Sequence, residues 1–157
     1  MENVIIRIAN ISDLELVLLL SDGLTLSDLP FDKEVNIEWA HSETGKKYYE
    51  NKVKGVDGIF FVAEVGSQIV GYATAAKKEV PTYRKVTVAD LENIFVKEEF
   101  RSRGVGKMLV ESFKNWAKES KFDKVSVNVF ALNEKGIAFY KREGFLPQDL
   151  TLEMHVK

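Results

Sequence analysis

The stretch Arg101-Ser102-Arg103-Gly104-Val105-Gly106-Lys107 places three cations and two glycines within seven residues. It lies between a run with strand character, Asn93 to Val96, and a sequence with helical spacing. The first turn of a helix presents unpaired backbone N–H groups and the positive end of its dipole, so it attracts anions. Glycine has no Cβ, so the backbone at Gly104 and Gly106 admits a bulky phosphate at close range. Arg101, Arg103 and Lys107 add full charges beside those dipoles. The chemistry indicated is the holding of a pyrophosphate. Two familiar phosphate loops do not fit: Met108 stands where a Walker loop has Ser or Thr, and Leu109 where G-x-G-x-x-G has its third glycine. On the loop alone, an ordinary turn with surface basic residues remains an equal reading.

The elements that must position this loop follow from periodicity. Val4 to Ile8 reads as a strand, and the next segment as a helix with a capping-box spacing from Ser12 to Glu15. Leu14, Val17 and Leu18 share one face of that helix, and Gly23 is expected to end it. Thr25 to Gly55 mixes helical pieces and loops, punctuated by Pro30 and Gly45. Ile59 to Val65 and Gln68 to Ala76 form strands joined by a Gly66-Ser67 hairpin turn. Val86 to Val96 returns to strand character. Gly104 to Ser120 is an amphipathic helix with Leu109, Val110, Phe113, Trp116 and Ala117 on its apolar stripe. Residues 124–130 alternate as a strand, Asn133 to Arg142 form a short helix, and Thr151 to Val156 a last strand. This order indicates one mixed α/β domain spanning residues 1–157.

Composition narrows the function classes. A chain of 157 residues suits one domain with a substantial core. The net charge of −2 offers no global attraction to nucleic acid or an anionic membrane, so neither is an expected partner. The absence of cysteine excludes disulfides and thiol nucleophiles. The N-terminal stretch lacks the pattern of a signal peptide, and the expected location is the cytoplasm. His41 and His155 are far apart and no metal site is expected. No Gly-x-Ser-x-Gly nucleophile elbow occurs.

Arg-x-x-Gly-x-Gly after a strand resembles the acetyl-coenzyme A pyrophosphate loop of the GNAT superfamily of N-acetyltransferases. "NVFALNEKGIAFYKREGF" is similar to that family's run of strand, Asn, helix with Ile-Ala-x-Tyr, then Gly-Phe. "LENIFV" resembles its central strand, and "IRIANISDLELV" its first strand and helix. The resemblance is strongest from Leu91 to Phe145. It implies an α/β (α+β) fold of the GNAT acyl-CoA N-acyltransferase type, a mixed, mostly antiparallel twisted sheet flanked by helices, with a V-shaped split for the cofactor.

The resemblance also implies roles. Backbone groups of Ile94, Phe95 and Val96 would pair with the pantetheine arm of acetyl-CoA. Arg101, Ser102, Arg103, Gly104, Val105, Gly106 and Lys107 would hold its phosphates, and Asn133 would steady it. Asn133 is equally an N-cap by residue type. Tyr140 matches the tyrosine near the thioester sulfur, where it would assist the departing thiolate, although a Tyr packed beside Ile137 is the ordinary alternative. A model Tyr has a pKa about 10 and a thiol about 8.5, so full proton transfer is uphill by roughly 2 kcal/mol. A hydrogen bond to the developing charge is the safer description. Deprotonating a primary amine at neutral pH costs roughly 4–5 kcal/mol, which a carboxylate would relieve. Asp90 and Glu92 qualify, and by strand alternation they face the same side as Ile94. Glu92 is preferred as nearer the acyl position; a solvated strand-start carboxylate is the alternative for each. Asn128 stands where relatives acting on protein N-termini carry a glutamate, and an amide is no base.

The function implied is transfer of acetyl from acetyl-CoA to a primary amine by direct attack in a ternary complex, without a metal. The acceptor expected is a small molecule such as a polyamine. A peptide or protein amine, or an acyl-CoA sensor without turnover, are the rivals. The basic run Lys77 to Lys85 would favour an acidic acceptor if it overhung the mouth, and Asp22, Asp28, Asp32 and Glu34 would favour a cationic one. Homodimers are common among such domains.

Overall fold

The computed structural model describes residues 3–157. Five strands pair in chain order: β1 (Val4–Ile8), β2 (Ile59–Val65), β3 (Gln68–Lys78), β4 (Val88–Val96) and β5 (Lys124–Val127). β1 to β4 are mutually antiparallel, and β5 runs parallel to β4. Four α-helices flank them: α1 (Leu14–Asp28), α2 (Glu43–Val53), α3 (Val105–Glu119) and α4 (Glu134–Arg142). The mixed, mostly antiparallel sheet with helices on both faces is the architecture expected.

Alternation divides the core in two. Phe61, Ala73, Ala75, Ala89 and Leu91 pack under α3, whose Val105, Leu109, Val110, Phe113 and Ala117 are buried. Phe139 and Tyr140 of α4 join that face. Phe60, Val62, Ile69 and Tyr72 point the other way, against Val17 and Leu20 of α1 and Tyr49 and Val53 of α2. The hairpin turns at Gly66, with φ of 59°, as expected; the register it sets holds for Val65–Gln68 and Glu64–Ile69 and then slips by one at Val70.

Four expectations are corrected. The capping box joins Asn10 and Asp13 rather than Ser12 and Glu15: Asn10 Oδ1 accepts from Ser12 N at 2.9 Å and Asn10 N donates to Asp13 Oδ2 at 2.8 Å. Arg7 grips the same Asp13 at 2.8 and 3.0 Å, which holds its carboxyl below the usual carboxylate range. α1 does not stop at Gly23. A Cβ there would lie 2.5 Å from the Phe95 ring, so this glycine buys close approach to β4, not termination. Residues 128–130 leave the sheet, because β4 has already turned away and offers no partner. Thr151 to Val156 form no strand: they join no sheet among the described residues, and Leu152, Met154 and Val156 are 83–88% exposed. An alternating pattern without a neighbouring edge cannot hold strand structure.

Gly45 sits in the first turn of α2, where a Cβ would meet Trp39 O at 2.0 Å. Alanine is favoured over glycine in a helix by about 1 kcal/mol, but overpacking of this kind costs about 1–3 kcal/mol. The contact wins. Gly45→Ala is therefore expected to lower the urea midpoint; an unchanged or higher midpoint would show that α2 shifts freely.

Candidate active site at the fork between β4 and β5

β4 and β5 pair only from Val88 with Lys124 to Leu91 with Val127. Beyond Leu91 the two strands part, and one edge of β4 from Glu92 to Val96 is left without a strand partner among the described residues. Ile94, Phe95 and Val96 thus lie along the parted edge. Arg101 closes onto it: its Nε donates to Val96 O at 2.8 Å, and its guanidinium lies 5.5 Å from the Phe95 ring centroid.

The loop that follows enters α3 through two left-handed residues, Ser102 at φ 60° and Gly104 at φ 84°. Gly104 is the N-cap and brings no side chain to the first amides of the helix. Those N–H groups carry no side-chain cap, an arrangement that can accept an anion. Arg101, Ser102, Arg103, Gly104 and Lys107 are exposed, while Val105 is buried and anchors the turn. A Cβ at Gly106 would come within 3.4 Å of Phe139, so this glycine lies where α3 meets α4. Asn133 caps α4, its Oδ1 accepting from Gly136 N at 2.9 Å.

The carboxylates lie elsewhere than simple alternation implied. Between Thr74–Asn93 and Ala75–Leu91 the register slips by one, so Glu92 is the extra residue of a β-bulge. Ile94 packs on the α3 face. Glu92 points to the opposite face, where it meets Tyr48 and Lys52 of α2. The bulge is the physical reason: one inserted residue reverses every side chain beyond it. Asp90 shares the α2 face but belongs to the closed part of the fork. It takes a hydrogen bond from Ser126 and faces Lys78 at 3.4 Å. Glu92 stands at the opening itself.

Around Glu92 lies a polar network that sequence reasoning missed. Tyr48 donates to Glu92 Oε2 at 2.9 Å and accepts from Asn93 Nδ2 at 2.9 Å, while Asn93 also donates to Thr74 at 2.9 Å. Burial pushes the Tyr48 phenol well up; the Thr74 bond opposes this and the Glu92 charge adds to it. Lys52, with a side chain 1% exposed, sets its ammonium 2.7 Å from Glu92 Oε2. The signal available was weak: Tyr48 and Lys52 are four apart, hence on one helix face, but a lysine reads as solvated.

Tyr140 packs against Phe145 and the α3-side core. Its phenol is pushed up to about 12, by burial first and by the charge of Asp28 second. Asp28, at the end of α1, is itself raised by burial and by Asp32. Phe31, just beyond, stacks on Phe130 at 5.8 Å, joining the α1 side to the segment after β5. The Lys77 to Lys85 run flanks the Val88 end of β4, away from the opening at Glu92–Val96. His41 pairs with Asp22 at 2.8 Å. Among the described residues, no group of His, Cys, Asp or Glu is placed to hold a metal, and no helix is long and apolar enough to cross a membrane.

The model of the acetyltransferase (GNAT) family matches residues 25–145. The chain belongs to that family. An uncharacterized N-acetyltransferase of Methanocaldococcus jannaschii, MJ1207, is 34% identical over 98 residues, covering 62% of this chain and 43% of the relative. The chain spans about half or less of the length of most curated relatives it matches. A mutant of BH1408 from Bacillus halodurans shares the fold with a TM-score of 0.83 at 21% identity, covering 98% of this chain and 99% of that one. AAC(6')-Iy in complex with the bisubstrate analog CoA-S-monomethyl-acetylneamine aligns with a TM-score of 0.78 at 21% identity, over 99% of both chains. At that identity the likeness shows the GNAT fold.

The Tyr140 shift has a measurable sign. Its folded pKa lies above the ordinary phenol value of 10, so its contribution to stability is complete below pH 10 and is lost as pH rises toward 12. The difference in tyrosinate absorbance between the protein and Tyr140→Phe is expected to titrate near 12; a difference curve centred at 10 would place the phenol in solvent.

Proposed function

We propose that the protein transfers the acetyl group of acetyl-CoA to a primary amine by direct attack in a ternary complex. One observation carries this reading: the strand edge opened at Glu92–Val96 runs straight into an uncapped, cation-flanked helix N-terminus. A thioester carrier has matching parts, an amide-bearing arm for the strand edge and a diphosphate for the helix. Ile94, Phe95 and Val96 would pair with the arm. The amides of Gly104 to Lys107, with Arg101, Arg103 and Lys107, would hold the diphosphate, and Ser102 shapes their turn. Arg101 must leave Val96 O to do so. Asn133 would contact the cofactor from the α4 cap.

Tyr140 acts as a hydrogen-bond donor to the leaving thiolate. With its phenol near 12 and a thiol near 8.5, complete proton transfer would be uphill by about 5 kcal/mol. Donation without transfer stabilises the developing charge at no such cost. Glu92 receives the acceptor amine at the bulge; Asp90, already engaged by Ser126 and Lys78, is the lesser candidate.

The acceptor that fits is a cationic small molecule such as a polyamine. Asp28 bears on Tyr140 through its charge, and Asp22 and Asp32 lie on the same side of the chain's fold near α1. The CoA-linked neamine analog bound by AAC(6')-Iy is likewise an amine-bearing compound.

Thiol release from acetyl-CoA with a panel of diamines, polyamines and peptides tests the reading. Turnover is expected with polyamines; cofactor binding without turnover on any amine would make the protein a sensor. Tyr140→Phe is expected to lower kcat on the order of a hundredfold while the acetyl-CoA Kd from calorimetry stays put. An unaltered kcat would remove Tyr140 from the chemistry.

A further inference from the structure

Among the described residues Lys52 is the one lysine that is buried, and its surroundings are unusual for a cation. Its ammonium is 2.7 Å from Glu92 Oε2, off the line of a hydrogen bond, and 5.2 Å from the Tyr48 ring centroid. Asp57 lies 3.9 Å away, but its side chain is 70% exposed and screened by water. A buried charge needs a counter-charge held close, or it is strongly destabilising. Glu92 is that counter-charge.

The dependence runs both ways. An extra residue in a bulge is left out of the strand ladder, and nothing in the sheet itself orients its side chain. α2 supplies the orientation. Tyr48 and Lys52, one turn apart, both converge on Oε2, and among the described contacts none falls on Oε1. Tyr48 is steadied in turn by Asn93, the next residue of the bulge, and by Thr74 of the neighbouring strand. The clamp therefore ties the bulge to α2 at two points and leaves one carboxylate oxygen uncommitted.

We propose that Lys52 and Tyr48 are positioning residues that fix Glu92 through Oε2, so that Oε1 is presented to the acceptor amine. This rests on the reading of Glu92 as the residue that receives the amine. It adds that the receiving geometry is set by α2, not by β4 alone. Removing the charge of Glu92 would strand a buried ammonium, so the two residues must be tested together.

The experiment is a double-mutant cycle on the full chain with Lys52→Met, Glu92→Gln and the double variant, plus Lys52→Arg and Tyr48→Phe. In thermal melts, which need no substrate, Glu92→Gln alone is expected to lower Tm, and adding Lys52→Met to recover part of the loss. With spermidine as acceptor, Lys52→Met is expected to raise the amine KM at least tenfold and leave the acetyl-CoA KM unchanged. Lys52→Arg restores most of the loss, and Tyr48→Phe gives a smaller rise. In the Glu92→Gln background, Lys52→Met should change neither kcat nor KM further. Additive losses in both melts and kinetics, with Glu92→Gln still impaired, overturn the proposal and leave the role of Glu92 standing. A Glu92→Gln variant as active as the parent on every amine sinks both.

Discussion

Every backbone amide and carbonyl removed from water must find a partner, and a sheet satisfies this strand by strand. Here the rule is suspended at one place. After Leu91 and Val127 the two parallel strands separate, and Asn93 to Val96 of β4 stay paired with β3 on one edge only, with Glu92 bulged out of the ladder. The rest of the molecule is arranged to make that opening tolerable. The three strands β1 to β3 give β4 a rigid antiparallel backing. The α3 face is filled by Leu109, Val110 and Phe113, so the opening does not propagate into the core. What the parted strands leave is a backbone surface ready to be completed by a ligand.

The bulge at Glu92 decides which face sees which chemistry. Had β4 continued in plain alternation, the carboxylate and Ile94 would have looked the same way. With one residue inserted, Ile94 stays with α3 while Glu92 and Asn93 both turn to α2. The apolar and ionic halves of the fork are thereby separated by the thickness of the sheet. The cost is a buried lysine, which by transfer energetics alone would be excluded from such a position. It is held because its counter-ion and a phenol converge on it from two elements, one of which cannot move without the other.

Much of this was legible in the sequence, for reasons that can be named. The Gly66-Ser67 turn marks the β2–β3 hairpin by its residue types, and the apolar stripe of α3 needs no context to be read. The loop from Arg101 to Lys107 is a local motif, with its conformation written in Gly104. The bulge was not legible, because it is a relation between two strands and no single strand carries its signature. Lys52 and Tyr48 were hidden for a similar reason: residues Thr25 to Gly55 are held by the sheet face they cover, and their own periodicity is weak. Gly23 and Gly45 read as breaks because glycine usually is one; both instead mark places where another element comes within contact. The Thr151 to Val156 alternation implied a last strand and was misleading, since alternation describes a face and not a neighbour.

Arg101 has a consequence apart from any diphosphate. A strand edge with unmet hydrogen bonds is a template on which another polypeptide can build, and proteins blunt such edges with charge. The guanidinium lies across this edge, its Nε on Val96 O and its plane over Phe95. The same side chain thus covers the parted strand against stray β-pairing: one arginine stands where a neighbouring strand would otherwise run.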